Sequence, residues 1–220
     1  MRGEVGEPAA RGLRHRRCGQ SPRQISKSAA MRTLALETTI QCLAERPYSE
    51  VSLATIAEKG GLSRGGMQYH FPTRLDLLKA TVDFLHQRQL ENFRDDLASR
   101  PADRDLFDHM IETRWARMGE RDFRAYQELV LASRCEPELA EALGSSHRAF
   151  IRAWQDIARA SFGWDEGAPA MAQAGSIAHC LLDGMAFGRI AGRLSQEETG
   201  QLLGYVKAIL RQAAQGAVSH

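Results

Sequence analysis

The chain contains no apolar run approaching the roughly 18 residues that a membrane-spanning helix needs. It also lacks an apolar signal-peptide core near its start. These two absences predict a cytoplasmic protein with no membrane contact. Cysteine is scarce: Cys18, Cys42, Cys135 and Cys180 lie far apart and offer no metal-ligand spacing. Cys42 and Cys180 fall within apolar helical patterns and read as reduced core residues. There is no phosphate-loop GxxxxGK(S/T), no HExxH and no CxxC, and the seven histidines are scattered. No catalytic residue, metal or cofactor is therefore expected. Proline is sparse as well, seven in 220 residues. Several of the prolines end segments of helical period, which leaves long stretches free to be helix.

Charge is balanced overall, 29 basic against 27 acidic residues, but unevenly spread. Residues 1–29 hold seven basic and two acidic side chains, residues 30–73 hold four of each, and residues 74–220 hold 18 basic and 21 acidic. Residues 1–23 are rich in Arg and Gly and show no periodicity, which predicts a disordered basic arm. Such an arm can add phosphate or minor-groove contacts. Met31 could itself begin a shorter protein, in which case the arm is dispensable.

The organising stretch is Val51 to Arg74. Ser52 precedes an apolar run and can cap a first short helix. Leu53, Ile56 and Ala57 fall on one face of that helix. Gly60-Gly61 ends it, since glycine takes the left-handed conformation that a tight turn requires. Leu62 plugs the turn into the core. Ser63 can cap a second helix from Arg64 to about Tyr69, with Met67 inward, and Pro72 ends it. Two short helices joined by a glycine turn form the geometry that sets a second helix into the DNA major groove. Upstream, a helix over about Arg23 to Arg46 carries the stripe Leu36, Thr39, Ile40 and Leu43. An ordinary helical hairpin is the alternative reading.

The segment SRGGMQYHFPTRLDLL resembles the recognition helix and following helix of the TetR family of bacterial transcriptional regulators, whose pattern there is roughly S-x-G-x-L-Y-x-H-F. RTLALETTIQCLAERPYSEVSLATIAEKGGLS is similar to that family's first two helices. The resemblance covers about Arg32 to Leu78 and implies double-stranded operator DNA as a partner. On that basis Ser52 and Thr55 would touch phosphate, and Thr73 and Arg74 would anchor the backbone. Lys59 at the turn and Ser63 at the second cap would lie close by. Arg64 would read bases, because its fork matches guanine O6 and N7. Gly65 and Gly66 would permit close approach. Tyr69 and His70 would reach base methyls or phosphate, although His70 could instead serve only as a hydrogen-bonding helix end. The family's phosphate-binding tyrosine is Gln68 here, with Tyr69 beside it, and Pro47 stands where glycine is usual.

From Thr73 onward six more helices are expected, about Thr73–Ser99, Ala102–Gly119, Asp122–Arg134, Pro137–Phe162, Ala168–Gly192 and Ser195–Gln215. The fold class is all-α, with about nine helices: a basic arm over residues 1–23, a three-helix helix-turn-helix head over 24–72, and a ligand-binding and dimerisation bundle over 73–220. The segment Ala170–Gly192 has few charges and is apolar nearly all round, so it needs burial on both sides. Packing against a second copy would provide this, with Ile177, Leu181, Met185, Leu202, Val206 and Ile209 at the interface of a homodimer. The resemblance further implies a small-molecule effector in the bundle, with Phe107, Met110, Trp115, Met118, Tyr126, Trp154 and His179 as candidate lining. That mixture of aromatics and methionine suits an apolar or aromatic effector. The expected function is a dimeric transcriptional regulator, more often a repressor in that family, that binds a palindromic operator. The alternative is a helical ligand- or protein-binding module that has lost specific DNA binding.

Overall fold

A computed structural model describes residues 22–162 and 169–218. Among these residues there are nine α-helices and no strand. Of the basic arm expected over 1–23, residues 1–21 lie outside the described residues and 22–23 belong instead to the first helix; most of the expected loop at 163–169 also lies outside the described residues. Helix α1 spans Pro22–Glu45, opening on a proline whose missing N–H costs nothing in a first turn. It buries Ala35, Leu36, Thr39, Ile40, Cys42 and Leu43. The buried hydroxyls of Thr38 and Thr39 donate to the carbonyls of Leu34 and Ala35, each at 2.8 Å, so neither is left unpaired. Burial raises the Cys42 thiol above its ordinary value, which keeps it protonated and unreactive. Cys180 differs from expectation: it is exposed on the outer side of its helix.

After Pro47 the chain makes a short 3-10 turn, Tyr48–Glu50, that periodicity did not foretell. Helix α2, Leu53–Gly60, is capped by Ser52, whose Oγ accepts from Thr55 N–H at 3.1 Å. It ends on Gly61 at φ 61°, with the Leu62 N–H returned to the Ala57 carbonyl at 2.8 Å. This is a left-handed glycine stop with its apolar follower packed on the core. Helix α3, Arg64–His70, is capped by Ser63, which accepts from Gly66 N–H, and it turns Met67 inward. Helix α4, Arg74–Ala98, opens on a full capping box of Thr73 and Asp76. At 25 residues it is about 37 Å long.

Helices α5 (Leu106–Arg117), α6 (Arg121–Ala132), α7 (Pro137–Phe162), α8 (Pro169–Ile190) and α9 (Gln196–Val218) complete the bundle. Helix α5 starts four residues later than its apolar pattern suggested. Asp105 caps it by accepting from Asp108 N–H at 3.0 Å, and residues 101–105 stay outside.

Two apolar cores result. The first joins α1 to α4 with Ala125 and Leu129 of α6 and Leu139 and Leu143 of α7. The second joins Ile111 and Met118 to α8 and α9. The head thus shares its core with the bundle. Polar contacts reinforce the seam. The Arg74 guanidinium stacks 4.0 Å from the Tyr48 ring and donates to the carbonyls of Val51 and Tyr48 at 2.6 and 2.8 Å. The Tyr48 hydroxyl donates to Glu136, just ahead of α7, at 2.6 Å, and its amide to Glu128 of α6 at 3.2 Å. Arg88 of α4 pairs with both Glu37 of α1 and Asp122 of α6, and Arg121 joins Glu37 at 3.0 Å.

The glycine roles give a contrast that urea unfolding can check. Gly61→Ala forces a side chain into a left-handed conformation and should lower stability by about 1–2 kcal/mol. A Cβ on Gly65 meets nothing within 4 Å. Gly65→Ala should therefore leave stability unchanged or raise it by up to about 1 kcal/mol.

Candidate nucleic-acid interface and internal cavity

The outward face of α3 carries Arg64, Gly65, Gln68 and Tyr69, all exposed, with Tyr69 at 69%. Among the described residues Arg64 and Gln68 have no polar partner within the chain. The other residues expected to meet DNA are placed differently. Arg74 is turned inward on Tyr48 and Val51 and pairs with Glu136 at 3.5 Å, so its guanidinium is already committed to the fold. Lys59 pairs with Glu45. Gly66 makes its close approach to α1: a Cβ there would lie 2.1 Å from Met31 Cε. His70 Nε2 sits 3.2 Å from Ser28 Oγ of the same helix. The hydroxyls of Ser52, Ser63 and Thr73 serve as caps, and Thr55 Oγ1 lies 2.8 Å from Ser52 Oγ.

These contacts lay the first turns of α1 against α3, and Lys27 and Arg32 on those turns are exposed. Neither was foreseen, because both precede the helix-turn-helix pattern. Arg32 lies over the Phe71 ring at 5.6 Å. Gly61-Leu62-Ser63-Arg64-Gly65 also spells the G-x-S-x-G of a nucleophile elbow. That motif needs a strand before its serine and a base beside it. Here the serine lies between two helices, and its oxygen serves the Gly66 amide.

A cavity of about 130 Å³ lies within the bundle. Of the seven expected lining residues it brings together Phe107, Met110, Tyr126, Trp154 and His179. Trp115 and Met118 do not take part. Trp115 carries the Arg189 guanidinium at 4.4 Å from its ring, and Met118 is 1% exposed in the second core. The polar wall was missed: Arg88, Gln89, Asn92 and Arg114 also line the space. A signal existed for Arg114, which shares a helical register with Phe107, Ile111 and Met118, all of them apolar.

Burial, with the nearby Arg114 charge second, pushes His179 down to about 3. Burial likewise pushes His86 down to about 4; its Nδ1 sits 2.8 Å from Ser146 Oγ. Both imidazoles are neutral at neutral pH. Asp183 is raised by burial, and Tyr126 is pushed up to about 12 for the same reason. No helix among the described residues is long and apolar enough to cross a membrane, and no group of side chains there could hold a metal.

Two family models match. One, for the bacterial regulatory proteins of the tetR family, covers residues 35–81. The other, a tetracyclin repressor-like C-terminal domain, covers residues 101–216, more than half of the chain. The chain belongs to the TetR family. It is 28% identical over 123 residues to the HTH-type transcriptional regulator CymR of Pseudomonas putida, a match spanning 55% of this chain and 61% of that protein. It is 32% identical over 126 residues to an HTH-type transcriptional regulator of Mycobacterium bovis, spanning 57% of this chain and 64% of the relative. The matched region is thus less than two thirds of either relative. A TetR-family regulator from Rhodococcus superimposes with a TM-score of 0.66 at 18% identity, covering 83% of this chain and 99% of the other. That likeness establishes the TetR-type fold.

The histidines predict a pH response. Below an ordinary value of about 6.5 the unfolded chain protonates His179, whereas the folded chain does not until about 3. Its contribution to stability is therefore full above about pH 7 and declines as pH falls. His179→Gln should flatten the dependence between pH 6.5 and 5, by about 2 kcal/mol over that interval. Denaturant unfolding at stepped pH would read this.

Proposed function

We propose that this TetR-family chain is a sequence-specific DNA-binding transcriptional regulator, a repressor that binds a palindromic operator as a homodimer and is released by a small molecule. The observation that carries this reading is the exposed face of α3. Arg64, Gly65, Gln68 and Tyr69 project from a short helix that the rest of the head holds at fixed orientation. Arg64 reads guanine through its fork. Gly65, with open space where a Cβ would be, lets the backbone approach a phosphate or a thymine methyl. Lys27 and Arg32 add phosphate contacts. Residues 24–72 act as the reading head, residues 73–220 bind the effector and the partner subunit, and residues 1–23 supply a basic arm. The reading is of a cytoplasmic regulator without enzymatic activity.

The dimer surface is the outer side of α8 and α9. Ile177, Leu181, Phe187 and Ile190 stand 40–62% exposed on α8, and Leu202 and Tyr205 stand 36% and 68% exposed on α9. Met185 and Val206, expected at this interface, belong instead to the second core at 7% and 1% exposure. They face inward because α8 and α9 pack on each other, and Ile209 also packs against that core. The helix expected to be buried all round thus fills one side within the chain and leaves the other for a partner. An effector acts from the cavity, whose wall contains Arg88. The same guanidinium holds Glu37 of α1, so a ligand that displaces it tilts the head. A bias of a few kcal/mol between the two arrangements is enough.

A second reading, a ligand-binding helical module without specific DNA binding, draws on the internal engagement of Arg74, Lys59 and His70. Selection from a randomised duplex library at about 150 mM salt separates the two. The proposal predicts one palindromic motif, lost or relaxed with Arg64→Ala. It also predicts that Gly65→Ala weakens operator binding at least about tenfold although the variant folds as stably as the parent. Weak binding without a motif, vanishing as salt rises, would leave the second reading.

A further inference from the structure

The cavity is lined by three arginines, and they are not equivalent. Arg88 pairs with Glu37 and with Asp122 at 2.7 Å. Arg117 grips the Asp96 carboxylate with two bonds, at 2.6 and 3.2 Å. Arg114 has no carboxylate within hydrogen-bond distance: its ion pair with Asp183 is stretched to 3.9 Å. Its nearest partners are neutral. With the Gln89 amide turned to suit its surroundings, its oxygen accepts from Nη1 and Nη2 at 2.8 and 2.9 Å. His179 Nε2 accepts from Nη2 at 3.5 Å. Arg114 Nε and the nearer oxygen of Asp183 are both buried without a hydrogen-bond partner. A desolvated guanidinium whose hydrogen bonds go to an amide and an imidazole, with its one carboxylate held 3.9 Å off, is an under-compensated cation. Burial lowers its pKa, against the opposing pull of Asp183.

Part of the lining is aromatic. Phe93 and Trp154 lie with ring centroids 5.4 Å apart, and Phe107 also lines the space. Gly175 gives the Trp154 ring its place, since a Cβ there would sit 2.8 Å from Cη2. An apolar cavity of this order of size holds a benzene-like ring. The expectation of an apolar or aromatic effector is therefore incomplete, because the lining also includes this cation.

We infer that the cavity takes a small aromatic carboxylate, its ring against Phe93, Phe107 and Trp154 and its carboxylate on Arg114 in place of the Gln89 carbonyl. A fork-to-carboxylate contact supplies charge-assisted bonds that a neutral acceptor cannot match. The inference names the ligand class for the effector site proposed above and rests on that reading.

Titration calorimetry on the full chain tests it, with benzoate, phenylacetate and 2-naphthoate against their primary amides. At least one acid should bind about tenfold or more tightly than its amide. Arg114→Gln should abolish the difference, and Arg114→Lys should retain part of it. Melting curves establish that each variant folds; should Arg114→Gln fail to fold, the acid-to-amide ratio of the parent and Arg114→Lys decide. Equal affinity for acid and amide, acid binding unmoved by Arg114→Gln, or no binding of any acid would overturn the inference. Operator binding measured with and without the bound acid keeps the two claims apart. An acid that binds through Arg114 but leaves DNA affinity unchanged refutes the effector reading alone. DNA release by the amides at the same concentrations as the acids refutes this inference alone.

Discussion

Helix α1 has to bury two faces at once. One faces α2 and α3 and makes the head; the other runs along α6 and meets α4. Leu36, Ile40 and Leu43 are each at or below 1% exposure, so neither face can be released without exposing apolar surface. Uncovering such a side chain costs about 1.5–3 kcal/mol. The rest of the arrangement follows from that double burial. The 3-10 turn after Pro47 is pinned through Tyr48 to α6 and to Glu136 just ahead of α7, and Arg74 closes over it. Arg88 knots α1, α4 and α6 together at the level of the cavity. The head is a continuation of the bundle's first core.

This construction limits how a signal could travel. With α1 packed on α3 at one end and on α4 and α6 at the other, a shift of α4 relative to α6 must move α1, and α1 carries α3 through Met31, Ser28 and the shared core. In the proposed mechanism the ligand needs no lever of its own. It needs only to alter the charge balance around Arg88 and Arg114, which both line the cavity, and packed interiors respond to such changes by switching between arrangements rather than deforming smoothly.

Much of this was legible in the sequence, and what was not has physical causes. Ser52, Gly61, Ser63 and Thr73 act locally, within three to five residues of the groups they satisfy, so the helix-turn-helix could be read directly. Helix registers followed from apolar period, and the seven-residue α3 was bounded by its cap and Pro72. Partnerships across 20 residues or more were not readable. Arg74 sits at a position that reads as surface, yet its guanidinium is drawn inward by carbonyls 23 and 26 residues away. His70 and Gly66 meet α1, which local spacing cannot reveal. The polar side of the cavity was hidden because an arginine facing an internal space and one facing water look alike in a helical pattern. Met185 and Val206 illustrate the same limit in reverse: an apolar helix announces burial but not which neighbour provides it. The proposed dimer face is consequently the set of apolar residues that the chain's own core leaves uncovered.

Native-state hydrogen exchange across α1, α4 and α6 tests the shared-core account most directly. If the head is continuous with the bundle, the slowest amides of α1 should open with the same free energy as those of α4 and α6, and all three should fall together when Leu129 of α6 is truncated to alanine. Opening of α1 to α3 at a distinctly lower free energy, untouched by the α6 truncation, would show an independent head and contradict the account.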